Sequence, residues 1–308
     1  MPAPSRPYFT DGAPTMDTIT ILISTYNGGR FLAEQLESIY SQRGLEKNRV
    51  QIVCRDDGSS DNTKEILRKW KDKLSITLIE GKNVGARDSF HILLNSAPES
   101  DYYAFCDQDD VWYEDKLSRA IEAIKKPKTL YFSNIEYIDS EGHSLGRNLL
   151  SSEFNLSLKR VLMCNPANGC AMVWDKKLHE VFIKVPYDTF TMHDEFACTL
   201  ALLFGNIIYD REPSMGYRLH NYNVTQSKDL AKKYKLWKSI WFGRKQYSLD
   251  KRAAMLLNYD LKDEDKQLLY RLSQYKKGVN RFKLVWTYAC EDYGIQRSFR
   301  LRMLIGLL

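Results

Sequence analysis

No stretch of this 308-residue chain approaches 18 consecutive apolar residues, so no membrane-crossing helix is expected. The six cysteines (54, 106, 164, 170, 198 and 290) form no CxxC pair, which argues against structural zinc and against a disulfide framework. Cys54 and Cys106 fall inside apolar runs, where a reduced thiol behaves as a small apolar side chain. A reducing, cytoplasmic setting is therefore expected. There is no GxxxxGK[ST] phosphate loop, which excludes an ATPase of that class. No spacing of Ser or Cys with His and Asp suggests a nucleophilic triad, so no covalent enzyme intermediate is expected. Internal repeats are absent. Four of the nine prolines lie in the first 15 residues, which carry no apolar core of the signal-peptide kind. Residues 1–16 read as a disordered tail, with Met16 as the expected native start.

What is there is ordinary for a soluble globular protein: 44% hydrophobic and 27% charged residues. The charge is unevenly spread. From Lys228 onward 19 Lys and Arg face 8 Asp and Glu, a balance of +11; with +6 overall, residues 1–227 carry −5. An acidic front and a basic tail suggest different partners for the two parts.

Periodicity gives the fold class. Thr18–Ser24 is β-branched and nearly continuous in apolar residues, as buried parallel strands are. A helix follows with Phe31, Leu32, Leu36 and Ile39 on one face. Val50–Cys54, Ile76–Ile79 and Tyr102–Cys106 read as further strands, alternating with helices that end near Trp70 and Leu94. Such βα alternation predicts an α/β protein with an open, mostly parallel, nucleotide-binding sheet. Beyond it, 115–125 reads as helix, 129–133 as strand, 136–150 as a hairpin, 168–174 as strand and 176–184 as helix. A further helix runs from Met192 through Leu203, then two short strands at 206–210 and 214–219. From Asp229 only helical patterns follow, broken near Asp260–Asp263.

Ligands collect at the carboxyl ends of parallel strands. Three such ends converge here: Ser24–Asn27, Asp56–Gly58 and Asp107–Asp110. The last breaks from an apolar strand into three carboxylates, Asp107, Asp109 and Asp110, which repel one another unless a cation lies among them. With no Cys or His in that run, Mg²⁺ or Mn²⁺ suits it better than zinc. The alternative is a solvated acidic loop capping a helix from about Trp112. In the second loop Asp56 or Asp57 could accept a hydrogen from a base, on which Tyr26 could stack; equally, Asp57-Gly58-Ser59 is a common turn.

Four segments carry a resemblance: Ile-Ser-Thr-Tyr-Asn (23–27), Arg-Asp-Asp-Gly-Ser-Ser-Asp (55–61), Asn-Val-Gly (83–85) and Asp-Gln-Asp-Asp-Val-Trp (107–112). Together they resemble the family 2 glycosyltransferases with the GT-A fold, over about residues 17–225, and the last is close to the form in bacterial rhamnosyltransferase-like members. The resemblance implies a GT-A catalytic domain at 17–227 and inverting transfer of a sugar, rhamnose first, from a nucleoside diphosphate. It implies Thr25, Tyr26, Asp57 and Asp107 at the donor nucleotide, with Arg87 near the diphosphate. Asp107 and Asp109 match the metal-binding acid pair, with Mn²⁺ or Mg²⁺ as cofactor. Ser24 stands where the family usually has proline. In Tyr217-Arg218-Leu219-His220-Asn221-Tyr222-Asn223, Arg218 matches a diphosphate contact and His220 a metal or phosphate ligand. Inverting transfer needs one base to take the acceptor proton. Asp194, in Met192-His193-Asp194-Glu195, matches that base, with His193 or Glu195 as alternatives; the helix N-terminus and a nearby cation are expected to keep it ionised.

Residues 228–308 are expected to form a helical, basic extension. Trp237, Trp241 and Trp286 among Lys and Arg, and the run from Arg297 to Leu308, suit peripheral contact with an anionic membrane at the inner face of the cell membrane. Packing on the catalytic domain or on a second subunit is the alternative. The expected acceptor is a glycan or a lipid-diphosphate-linked glycan; no nucleic-acid module is present. Two other readings stay open: a sugar-phosphate nucleotidyltransferase, with Asn27-Gly28-Gly29-Arg30 as a thin triphosphate loop, and a non-catalytic glycan-binding or scaffold subunit.

Overall fold

The computed structural model describes residues 16–150, 156–220 and 249–274. The expected tail at 1–15 and the aromatic-basic segments at 236–245, 281–286 and 297–308 lie outside the described residues.

Among the described residues a nine-stranded sheet runs in the order β3-β2-β1-β4-β8-β6-β9-β5, with β7 (Ser144–Asn148) paired to β6. β1 (Asp17–Thr25), β2 (Asn48–Asp56), β3 (Ile76–Glu80) and β4 (Tyr102–Cys106) are parallel neighbours. β8 (Met172–Asp175) lies antiparallel between β4 and β6 (Thr129–Ile138), and β9 (Asn206–Arg218) runs parallel to β6. β5 (Val111–Trp112) closes the far edge against β9, so Trp112 lies in a strand rather than at the start of a helix. The two short strands expected at 206–219 are one strand, with register shifts at Ser133/Asn134 and Asn134/Glu136 of its partner.

Alternation along β1 explains the layers. Ile19, Ile21 and Ile23 point to one side, into a core with Leu32, Leu36 and Ile39 of α1 (Leu32–Tyr40), Leu67 of α2 (Thr63–Trp70) and Leu117 of α4 (Lys116–Ala123). Leu22 points to the other, where Phe105 and Trp174 meet α3 (Ala86–Ser96), α5 (Leu158–Cys164), α6 (Lys176–Phe182) and α7 (His193–Phe204). Cys54 and Cys106 are buried free thiols in the first core. The second core also takes in Leu249, Ala253 and Leu256 of α8 (Leu249–Leu256) and Leu269 and Leu272 of α9 (Asp263–Ser273). The described part of the C-terminal extension is therefore built into the catalytic core, the packing alternative to a membrane role. Among the described residues no helix is long and apolar enough to cross a membrane.

Chain order fixes where a ligand can sit. β1 leads to β2 on one side, whereas β3 leads to β4 on the other, so the strand order reverses between β1 and β4. A crevice opens at the carboxyl ends of strands at such a point.

Candidate active site

The loop after β1 is a fixed platform. Its four successive backbone N–H groups each donate to a side chain: Tyr26 to Gln108 Oε1 (2.9 Å), Asn27 to Ser59 Oγ (2.9 Å), Gly28 to Thr63 Oγ1 (2.9 Å) and Gly29 to Asp61 Oδ2 (2.9 Å). Asn27 takes a left-handed conformation (φ 47°), which asparagine tolerates, and its Oδ1 accepts from the Ser60 N–H. The platform leaves the Tyr26 side chain in the open, at 48% exposure.

Behind it, Asp56 and Asp57 divide their work. Asp56 is structural: Oδ2 accepts from the Ser59 N–H and Oδ1 from the Thr25 hydroxyl. Asp57 accepts from Arg55 (2.5 Å) and the Val84 N–H (2.8 Å) at Oδ1, and from the Gly85 N–H (2.8 Å) at Oδ2. A carboxylate has about four acceptor positions, so one remains on Oδ2 for a base hydrogen. Thr25 does not take the donor-contact role expected of its side chain. It is buried, and its hydroxyl is turned into the sheet toward Arg55 O and Asp56.

The acidic loop follows β4. Asp110 is buried; Oδ1 accepts from the Arg218 N–H (3.1 Å), and Oδ2 has no hydrogen-bond partner. Asp109 keeps 19% of its side chain exposed, and its Oδ2 lies 2.8 Å from His220 Nε2, whose ring stacks on Phe31. Burial, with the charges of Asp109 and Asp194, pushes Asp107 up to about 7. Burial, with Asp109 and Asp107, pushes Asp110 well above the usual carboxylate range. Behind the loop the fully buried Lys116 bonds Ser214 Oγ (3.2 Å) and is lowered by burial to about 8.

These observations fit a divalent cation. Three crowded carboxylates, two pushed toward their neutral forms and one with an orphaned buried oxygen, gain most from a positive charge among them. Cys170 Sγ lies within 4.8 Å of oxygens of Asp107 and Asp110, but burial raises its thiol well above normal, so it is a neutral neighbour. The remaining donors are the hard oxygens that Mg²⁺ and Mn²⁺ prefer.

Arg218 has a different task from the diphosphate contact expected of it. It is wholly buried, and such a guanidinium must have its charge and donors met inside the protein. It donates to Asp109 O (2.9 Å) and Ser140 O (3.0 Å) and pairs with Glu34 (2.6 Å), tying the acidic loop to α1 and the β6–β7 turn. Arg87 likewise bonds to the scaffold. It donates to Phe190 O (2.8 Å) and Tyr187 O (3.0 Å), pairs with Asp88, and so grips the loop that leads into α7.

The start of α7 faces the acidic loop. Asp194 is half-buried, and desolvation outweighs an Asn165 hydrogen bond to push it up to about 7. Without a cation beside it, desolvation is the larger effect on Asp194. Its neighbours are otherwise engaged. His193 is sandwiched against Phe90 and Phe105, and burial drops its imidazole to about 3, so it is neutral and poorly suited as a base. Glu195 reaches back to the Thr191 N–H (3.2 Å) and pairs with the buried Arg252 of α8.

Of the residues singled out in the sequence, Asp107, Asp109, His220 and Asp194 therefore gather around the carboxyl end of β4, with Tyr26 and Asp57 at the neighbouring strand ends. Gln108, Asn165 and Arg252 complete the surroundings. Gln108 stood in plain view inside the acidic motif, whereas Asn165 and Arg252 lie in stretches without any local signal.

The matching family model, glycosyl transferase family 2, covers residues 20–182, more than half of the chain. The chain is 29% identical over 238 residues to a dTDP-rhamnosyl transferase, RfbG, of Shigella flexneri, covering 71% of this chain and 80% of that one. It is 32% identical over 126 residues to the Escherichia coli UDP-Glc:alpha-D-GlcNAc-diphosphoundecaprenol beta-1,3-glucosyltransferase WfaP, covering 41% and 49%. In fold it is similar to S. aureus TarS 1-349 in complex with UDP-GlcNAc (TM-score 0.61, 16% identity, covering 94% and 79%). It is also similar to the mannosyltransferase PcManGT from Pyrobaculum calidifontis in complex with GDP-Man and Mn2+ (TM-score 0.54, 17% identity, covering 98% and 89%). With its crevice, its acidic strand end and a family match across most of the sheet, the chain belongs to glycosyl transferase family 2 and is an enzyme of that family.

Proposed function

We propose that the protein transfers a sugar, with inversion, from a nucleoside diphosphate to a hydroxyl of a glycan or lipid-diphosphate-linked acceptor in surface polysaccharide synthesis. One observation carries this reading: Asp194 lies near enough to the β4 acids for its charge to raise Asp107. An acid cluster and a separate carboxylate thus lie within electrostatic reach of each other, as a single-displacement transfer needs. Asp194 takes the proton of the acceptor hydroxyl while its oxygen forms the bond to the anomeric carbon. The bond to the diphosphate breaks, and the diphosphate leaves with the electron pair. A pKa of about 7 suits that role, because a base works best when its pKa is near the operating pH.

In this reading Asp107, Asp109 and His220 hold the cation, Mn²⁺ or Mg²⁺. When bound, that ion supplies Lewis-acid stabilisation of the departing diphosphate. Tyr26 flanks the base, and the remaining acceptor position of Asp57 takes a base hydrogen. Arg218 and Arg87 position the acidic loop and the α7 loop and touch no substrate. Rhamnose carried on dTDP is the first donor to test, in line with the Shigella relative, and an undecaprenol-diphosphate glycan is the acceptor in line with the Escherichia coli one. PcManGT, of the same fold, is in complex with Mn2+, which supports the choice of ion.

The nucleotidyltransferase alternative fares worse. Its triphosphate loop needs free backbone N–H groups after β1, and those of residues 26–29 are already taken by side chains. Assaying a panel of nucleotide sugars with and without Mn²⁺ tests the reading. Metal-dependent transfer or donor hydrolysis is expected; pyrophosphate release from a nucleoside triphosphate, or inertness towards every donor, defeats it.

A further inference from the structure

The ladder between β1 and β4 stops at Ile23 and Cys106, and beyond that pair the two chains part to form the crevice. One side chain spans the gap. Gln108 accepts from the Tyr26 N–H at Oε1 (2.9 Å) and donates from Nε2 to the Tyr26 carbonyl (3.1 Å). Both backbone polar groups of one residue are thus answered by a single amide, as a neighbouring strand would answer them. The fit is close: a Cβ on Gly28 would collide with Gln108 Oε1. The other three N–H groups of the platform are held from the β2–α2 loop, by Ser59, Asp61 and Thr63. Among the described residues Gln108 alone ties the platform to the acidic loop, and it stands between Asp107 and Asp109.

We propose that Gln108 is a positioning residue that sets Tyr26, the seat of the donor base, in register with the acids that serve the diphosphate. It touches neither. This rests on the reading that Tyr26 flanks the base. Without the clamp the platform is free to shift relative to the acidic loop, and base and diphosphate no longer reach their seats together. The part of donor affinity contributed by the nucleoside then falls, whereas affinity for the diphosphate group alone does not. Losing two neutral hydrogen bonds corresponds to about tenfold.

The test measures Mn²⁺-supported binding of the nucleoside diphosphate and of pyrophosphate, by calorimetry, in the full chain and in Gln108→Ala and Gln108→Met. Methionine keeps the volume packed on Gly28 and removes both hydrogen bonds. The expected result is nucleoside diphosphate binding weakened about tenfold in both variants, with pyrophosphate binding unchanged within about twofold and KM for the donor raised more than kcat is lowered. Equal losses for both ligands, or a Gln108→Met protein that binds like the unaltered one, overturn the clamp while leaving the proposed transfer intact. An unaltered protein that binds pyrophosphate as tightly as any nucleoside diphosphate overturns both.

Discussion

The donor side of the crevice and the acceptor side solve the problem of a carboxylate in opposite ways. Around β1 to β3 the chain surrounds its acid with donors: Asp57 takes one guanidinium and two backbone N–H groups, and every N–H of the neighbouring platform has a side-chain acceptor. At the start of α7 the surroundings are apolar, with Phe90, Phe105 and Phe196 close to the helix terminus, and burial sets the behaviour of Asp194. The first arrangement holds a shape that a nucleotide can recognise. The second keeps a carboxylate poised between its two protonation states. In the proposed reading binding needs rigidity and chemistry needs reactivity, and the fold keeps the two apart, one at strand ends and the other at a helix start.

That contrast can be broken by experiment, most sharply at Asp194. Asp194→Asn should cut transfer by about 10²–10⁴, the usual contribution of a general base, while donor affinity stays within about twofold. Parallel loss of donor binding, measured by calorimetry, would merge the two sides. Next in size is Arg252→Met, which leaves Glu195 buried without its partner. Breaking a buried pair from one end costs about 3–5 kcal/mol, so a clear fall in Tm is expected, together with slower turnover because the α7 terminus loses its anchor. Donor KM should move little; a large rise would tie the C-terminal helices to the donor side instead.

The pH dependence follows from the raised acids. With a pKa of about 7, Asp194 is protonated below that value, so kcat/KM should fall about tenfold per pH unit there and level off above. For stability the sign is opposite. A carboxyl raised in the folded state stabilises the fold at low pH, and that contribution is lost as pH rises from the ordinary Asp range through about 7. Asp194→Asn should therefore flatten part of the decline in Tm between pH 5 and pH 8, measured without added metal. Smallest is Tyr26→Ala. Removing an exposed aromatic face of about 0.5–1.5 kcal/mol should raise donor KM by about two- to twelvefold with kcat little altered. A kcat effect as large as the KM effect would place Tyr26 in the chemistry rather than beside the base.

Much of the donor side was legible in the sequence because its signals are local. The β-branched run before Tyr26, the Asp57-Gly58-Ser59 turn and the acids after Cys106 each sit within a few residues of one strand end, and strand direction alone brings them together. Arg218 and Arg87 show what the sequence leaves open. A residue type suited to phosphate is equally suited to holding a loop, and only the neighbours decide: Glu34 and the carbonyls of Asp109 and Ser140 for Arg218, those of Tyr187 and Phe190 for Arg87. For the extension from 228 onward the sequence left membrane contact and packing both open, because its basic charge hides the leucines that α8 and α9 pack into the same core as α7.

By itself the sequence determined the kind of sheet, the strand ends where ligands collect and the identity of the acids, since hydrophobic periodicity and turn chemistry act over short distances. The tertiary structure alone decided which polar groups are spent on the scaffold. It decided too that Asp194 is desolvated, that Glu195 is held from 57 residues away by Arg252, and that Gln108 rejoins the parted strands, because burial and hydrogen bonding depend on what packs nearby.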